Sequence, residues 1–247
     1  MSSSELDAFF FRFGQITIAF MIVPIIVAII KRRYYNSILD AFLKYRILAF
    51  SFNLLEVGFI WVAYNHFEWI KDFVNYFGIQ NTAFLAILYH SNDYIFLGWF
   101  FYLLFGRKPY GIWIWRIAML LLVANVINYL FIEGYKTVGF FNPISDAIFV
   151  FGVAAFYLWH LYKSQLALPL TKNPYFWISF GLILPHLIGF FLFLVGDVAQ
   201  KENFPFFVSL SIAKNCFLIL AQVFYSIAFW RAQYARFIPL PSEEKTA

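Results

Sequence analysis

The chain has 247 residues, 63% of them hydrophobic and 13% charged, with a formal net charge of +5 and a mean hydropathy of +0.74. Soluble domains are about one-quarter charged, so this composition excludes an ordinary water-soluble globule and points to an all-α integral membrane protein. The basic excess needs no nucleic acid to explain it, because lysine and arginine accumulate on one side of a membrane.

Apolar runs predict a seven-helix bundle, with spans near residues 9–30, 46–64, 82–105, 111–132, 144–162, 174–197 and 206–230. They occupy the chain as one domain, 1–247, whose last stretch, 231–247, is a cytoplasmic tail. No small-residue cleavage site follows the first span, which reads as a retained helix. The single cysteine, Cys216, falls inside the last span and forms no disulfide. Segments such as "KRRYYNSILDAFLKYR" and "NHFEWIKDFVNYFGIQN" separate the spans with charges and helix breakers.

Orientation follows from the basic residues. One side collects Lys31, Arg32, Arg33, Lys44, Arg46, Arg107, Lys108, Lys163, Lys172, Arg231, Arg236 and Lys245, whereas the other has Lys71, Lys136 and Lys201. This places the N-terminus outside and the C-terminus in the cytoplasm, as in a multi-pass protein of a bacterial inner membrane. Trp69, Trp113, Trp115, Trp177 and Trp230 lie near span ends, where interfacial aromatics belong.

Counting inward from the outer span ends at about 1.5 Å per residue brings Glu56 of the second span and Lys214 of the seventh to one depth, about 12 Å down. His90 on the third span and His186 on the sixth fall nearby, with Asp93 one turn below His90. Asn125 and Asn215 add amides to the band. Charges facing lipid are costly, so these groups are expected to point inward, with Glu56 or Asp93 neutralising Lys214. The expectation is a polar cavity open to the outside, with Glu56, His90, Asp93, His186, Lys214 and Asn215 as ligand-binding residues. Lone asparagines such as Asn53, Asn125 and Asn128 also read as helix-to-helix glue, and Arg12, Arg116 and His160 read as snorkelling groups near span ends.

Catalytic patterns are missing from the sequence. It contains no Gly-rich phosphate loop, no His-Glu-x-x-His and no Gly-x-Ser-x-Gly. A metal would have at most His90, Asp93 and His186, without paired spacing, so no metal, cofactor or catalytic residue is expected.

Two resemblances accompany these residues. "SLSIAK", Ser209 to Lys214, is similar to the segment around the retinal-binding lysine of microbial rhodopsins, which are seven-helix proteins. That resemblance implies retinal held on Lys214 as a Schiff base. Leu210 stands where pumps carry an aspartate, so Glu56 or Asp93 would serve as counterion. A broader resemblance covers roughly residues 40–230. "NLLEVGF", "NTAFLAILYH", "GFFNPIS", "NPYFWISFGLIL" and "IAKNCFL" resemble, in order and spacing, a family of uncharacterised seven-helix membrane proteins from Bacteroidetes. The matching positions include Glu56, Asn81, His90, Asn142, Ser145, Trp177, Lys214 and Asn215, whereas Phe96 replaces a glutamate found in many members. That resemblance implies signalling beside a histidine kinase. The expected function is therefore a receptor that binds a small ligand and signals through a partner. A retinal protein is the alternative, and a transporter or membrane enzyme the third reading.

Overall fold

The computed structural model describes residues 3–79, 81–106, 108–136, 139–164 and 168–238. Of the basic residues used for orientation, Arg107, Lys245 and the side chain of Lys201 lie outside them, as does the tail beyond residue 238.

The described residues are helical, with no strand among them. Six helical stretches are long and apolar enough to cross a membrane: Arg12–Tyr34, Ser37–Asn65, Pro109–Ile132, Phe141–Lys163, Pro174–Gly196 and Phe204–Trp230. Together they mark a multi-pass membrane protein. Large side chains such as Ile29, Ile30, Leu120, Phe131 and Val198 are exposed on their outer faces, as lipid-facing residues are in a bilayer.

The first stretch joins α1 (Ser3–Phe20) to α2 (Ile22–Lys31). Next, α3 (Ser37–Asn65) begins nine residues before the predicted second span. The supposed separator is helical because Asn36 caps it, accepting a hydrogen bond from the Leu39 N–H at 3.1 Å. Its first turns bury Ile38, Leu39, Ala41, Phe42 and Leu43. Helix α4 (Phe67–Phe77) lies within what reads in sequence as a loop. It buries none of its residues and leaves Trp69 and Tyr76 on its surface, a pattern suited to a helix lying in the interface.

Residues 82–105, expected as the third span, are also helical but not uniform. A 3-10 turn (Thr82–Leu85) leads into α5 (Ala86–Asn92), a π-helical turn (Asp93–Leu97) and α6 (Gly98–Phe105). The run His90-Ser91-Asn92-Asp93 lowers its hydropathy and keeps it apart from the six apolar stretches. Helix α7 (Pro109–Ile127) likewise ends in a π turn (Asn128–Ile132). Helices α8 (Phe141–Lys163), α9 (Pro174–Glu202) and α10 (Phe204–Trp230) complete the bundle.

Helix α9 packs along both α10 and α8, and α10 packs along α2. At Gly181 a Cβ would stand 2.7 Å from the Tyr225 ring, so glycine allows α9 to approach α10 closely there. The core fills one half of the bundle with Phe42, Tyr45, Phe100, Tyr175, Tyr225 and Phe229. The buried residues of α3 stop at Ala49, leaving Asn53, Glu56 and Ile60 further along the helix only half-buried. Where the packed core ends, a cavity begins.

Candidate functional site

The cavity holds about 960 Å³, the upper part of the range for small-molecule sites. Among its lining residues, exposed Tyr64 and Asn65 and half-buried Glu133 mark the rim, and buried Tyr45, Arg46 and Gln222 mark the floor. All six sequence-predicted site residues line its wall: Glu56, His90, Asp93, His186, Lys214 and Asn215.

Their pairing differs from expectation. Glu56 does not pair with Lys214. Its Oε1 accepts a hydrogen bond from Thr82 Oγ1 at 2.6 Å and its Oε2 one from the Tyr89 hydroxyl at 2.7 Å. The two donors belong to the adjoining helical run 82–92, so Glu56 is satisfied locally. Among the described residues no carboxylate lies within ion-pair distance of Lys214. Its ammonium sits 5.2 Å from the centre of the Phe193 ring.

The acids and histidines instead form a second cluster through a residue that the sequence reading missed. Asp146, on the first turns of α8, is 7% exposed. Its Oδ2 is 3.0 Å from His90 Nδ1, while its Oδ1 is buried without a hydrogen-bond partner among the described residues. His186 Nε2 stands 3.7 Å from Asp93 Oδ2, and His186 Nδ1 is 2.7 Å from the Leu182 carbonyl oxygen. A carbonyl only accepts, so Nδ1 carries a proton, and Nε2 is the ring nitrogen that faces the cluster. Ligand atoms of Asp93, Asp146 and His186 all lie within 4.8 Å of one another. These three groups could together hold a metal ion, with Asp146 where the sequence offers at most His90. Asp146 was overlooked because it falls two residues inside its predicted span, a depth that reads as interfacial. Helix α8 instead enters the bundle already buried, with Asn142, Pro143 and Asp146 all in the interior.

Arg46 requires a second correction. Its guanidinium is not a cytoplasmic-side charge outside the spans; the residue is 4% exposed. Nη2 donates to Gln222 Oε1 at 2.7 Å, and the group lies 4.9 Å from the Tyr225 ring centre. It forms the cavity floor on top of the aromatic core. Arg46 lies nine residues beyond the start of α3, whereas the late predicted start of the second span puts it at a membrane surface.

At the rim, Glu133 ties the end of α7 to the start of α8. Its Oε1 accepts from the backbone N–H groups of Phe140 and Phe141, both at 3.0 Å, and its Oε2 accepts from Asn128 Nδ2 at 2.6 Å. Burial raises the carboxyl pKa, but these three donors outweigh it and hold the value below the ordinary carboxylate range. Asn128 also donates to Asn142 Oδ1 at 3.2 Å, so that asparagine acts as glue between helices. Asn53 turns its amide to the Ala49 carbonyl. Asn125 is fully buried with neither side-chain atom bonded among the described residues.

No protein-family model matches this chain. Comparison with characterised proteins and with solved structures likewise finds no match.

Proposed function

We propose that this protein is a seven-helix receptor of a bacterial inner membrane, with its N-terminus outside, its C-terminus in the cytoplasm and its cavity open to the exterior. Residues 82–105 then form the spanning helix that is less apolar than the other six. The proposed ligand is a small molecule carrying an anionic group, which binds Lys214. One observation carries this reading. Lys214 lines a large cavity within the apolar body of the bundle, and no described carboxylate pairs with it. A membrane-embedded ammonium is a functional-site hypothesis by default, and an anion arriving from water would supply its partner. Glu56, held by two hydroxyls, would add a boundary that disfavours a second negative group.

Lys214 and Gln222 are eight residues apart on α10, so a ligand at the former acts on the same helix that holds Arg46 at the floor. The far end of α10 places Trp230 under the Lys31 ammonium, 3.9 Å from the ring centre. A shift of α10 on ligand binding would therefore reach the basic end of the bundle, where a membrane signalling partner would read it. The resemblance to Bacteroidetes proteins encoded beside histidine kinases makes such a kinase the proposed partner. A transporter is disfavoured by the aromatic core that closes the bundle beneath Arg46.

The test is thermal unfolding of the purified protein with a panel of small carboxylates and inorganic phosphate. A ligand present at a hundred times its Kd adds about 2.7 kcal/mol. At least one member of the panel should raise Tm in the wild type and fail to do so in Lys214→Met. An equal rise in both would contradict the assignment.

The unpaired amine also keeps a second reading open, retinal bound through Lys214. That chromophore is cationic when bound and needs a nearby carboxylate, and none of the described carboxylates pairs with Lys214. We therefore expect protein mixed with all-trans-retinal to show no visible band that is lost on adding hydroxylamine. A Lys214-dependent band would favour the photoreceptor.

A further inference from the structure

Beside the Lys214 region the cavity wall carries a separate constellation. We propose that Asp93, Asp146 and His186 form a binding site for one divalent first-row transition-metal ion, of which zinc is the natural probe. The site is independent of the anionic-ligand reading, because it uses different residues and a ligand of opposite charge.

Geometry comes first. Three atoms within 4.8 Å of one another share a centre no more than about 2.8 Å from each, and zinc bonds to nitrogen and carboxylate oxygen run about 2.0–2.2 Å. Sub-ångström side-chain adjustment closes the difference. The 3.7 Å between His186 Nε2 and Asp93 Oδ2 is already close to the roughly 3.4 Å edge of a tetrahedral zinc shell.

Orientation comes second. A metal-binding imidazole ordinarily donates its other N–H to a carbonyl or carboxylate, which fixes its tautomer. His186 makes that bond to the Leu182 carbonyl at 2.7 Å, leaving Nε2 as the ligand atom. His90 performs the matching service for Asp146 by engaging Oδ2 at 3.0 Å. The remaining oxygen, Oδ1, belongs to a residue more than nine-tenths buried and has no hydrogen-bond partner among the described residues. A buried carboxylate oxygen without a partner costs stability unless something binds it, and a cation bound by Asp146 in this cluster provides that compensation.

Backbone structure comes third. Asp93 opens a π-helical turn, the kind of local widening that re-aims side chains at functional sites. His186 follows Pro185, which lacks a backbone N–H and interrupts the α9 ladder. Each ligand is thus presented from a different segment, and each faces the same cavity. Two carboxylates and one imidazole balance a divalent charge and leave a fourth position open to the cavity, as in zinc sites that exchange a bound water or ligand. The imidazole disfavours magnesium and calcium, which take oxygen donors.

The experiment uses the full chain, purified in detergent and stripped with a chelator. Zinc titration followed by calorimetry and metal analysis should show one equivalent bound. Asp146→Asn and His186→Ala should each weaken binding at least 100-fold, and His90→Ala should weaken it about 10- to 100-fold as a positioning residue. His66→Ala, in which a half-buried ring stacked on Trp69 is removed, should leave affinity unchanged. X-ray absorption of the zinc-loaded wild type provides a readout that does not depend on any variant folding. It should show a nitrogen and oxygen shell with one imidazole and no sulfur. Absence of stoichiometric zinc in the wild type would overturn the site, as would a thiolate or multi-imidazole shell, or affinity unaltered in folded Asp146→Asn.

Discussion

The Arg46 guanidinium and the Gln222 amide meet at 2.7 Å across 176 positions of sequence, joining α3 to α10 at the depth where the packed core gives way to the cavity. Gln222 is itself held, its Nε2 donating to the Leu218 carbonyl at 2.9 Å. The pair therefore acts as a fixed floor.

Removing one partner leaves a buried charge short of an acceptor. Gln222→Leu should destabilise the detergent-solubilised protein by about 1.5–3 kcal/mol, the usual range for a hydrogen bond to a charged group. The double variant Arg46→Met with Gln222→Leu should recover much of that loss. Thermal unfolding of the four proteins measures both, and equal stability of the wild type and Gln222→Leu would contradict the pairing.

Glu56 and Lys214 should behave independently. In Glu56→Gln the amide oxygen still accepts from Thr82 or Tyr89, so we expect a loss of no more than about 1.5 kcal/mol. Combined with Lys214→Met, the two effects should add within about 0.5 kcal/mol, as for separate sites. A coupling energy above about 1 kcal/mol, read from the same unfolding curves, would restore the direct ion pair expected from sequence.

The rim carboxylate gives a pH signature. Because the pKa of Glu133 is lowered in the folded protein, its contribution to stability is present above the unfolded-state value of about 4.3 and disappears as pH falls through the lower folded value. In Glu133→Gln that component of acid sensitivity should be missing. Unfolding curves for wild type and variant should therefore converge as pH drops from neutral into the acid range. Parallel curves throughout would mean that Glu133 is not held by Asn128 and the Phe140 and Phe141 amides.

Much of the frame is legible in the sequence because burying a backbone in lipid demands long apolar helices, and six of the seven predicted spans reappear at nearly the predicted places. The wall of the cavity is legible for the same reason. Charges are costly inside a bilayer, so Glu56, His90, Asp93, His186 and Lys214 stand out against their neighbours, and all of them line one cavity. Partnership is not legible from depth alone. Residues at one level share a layer, but the rotation of each helix decides which of them touch, so Glu56 turns to Tyr89 and Asp93 to His186. Arg46 is misplaced and Asp146 passed over because α3 and α8 start before the predicted spans. A capping asparagine extends α3 at its N-terminal end, and a glutamate-held turn lets α8 start inside the bundle.

In the proposed topology, water and solutes reach Lys214 from outside the cell and from that side alone. Accessibility of a cysteine at this position measures it directly. In a Cys216→Ser background, Lys214→Cys should react with a membrane-impermeant cationic thiosulfonate added to right-side-out vesicles. It should be protected from the same reagent added to the cytoplasmic face. Leu220→Cys, on an exposed flank of α10 expected to face lipid, should stay unreactive from both sides. Modification of Lys214→Cys from the outside only is the predicted result; modification from the cytoplasmic face, or from neither, would contradict the outward-opening cavity.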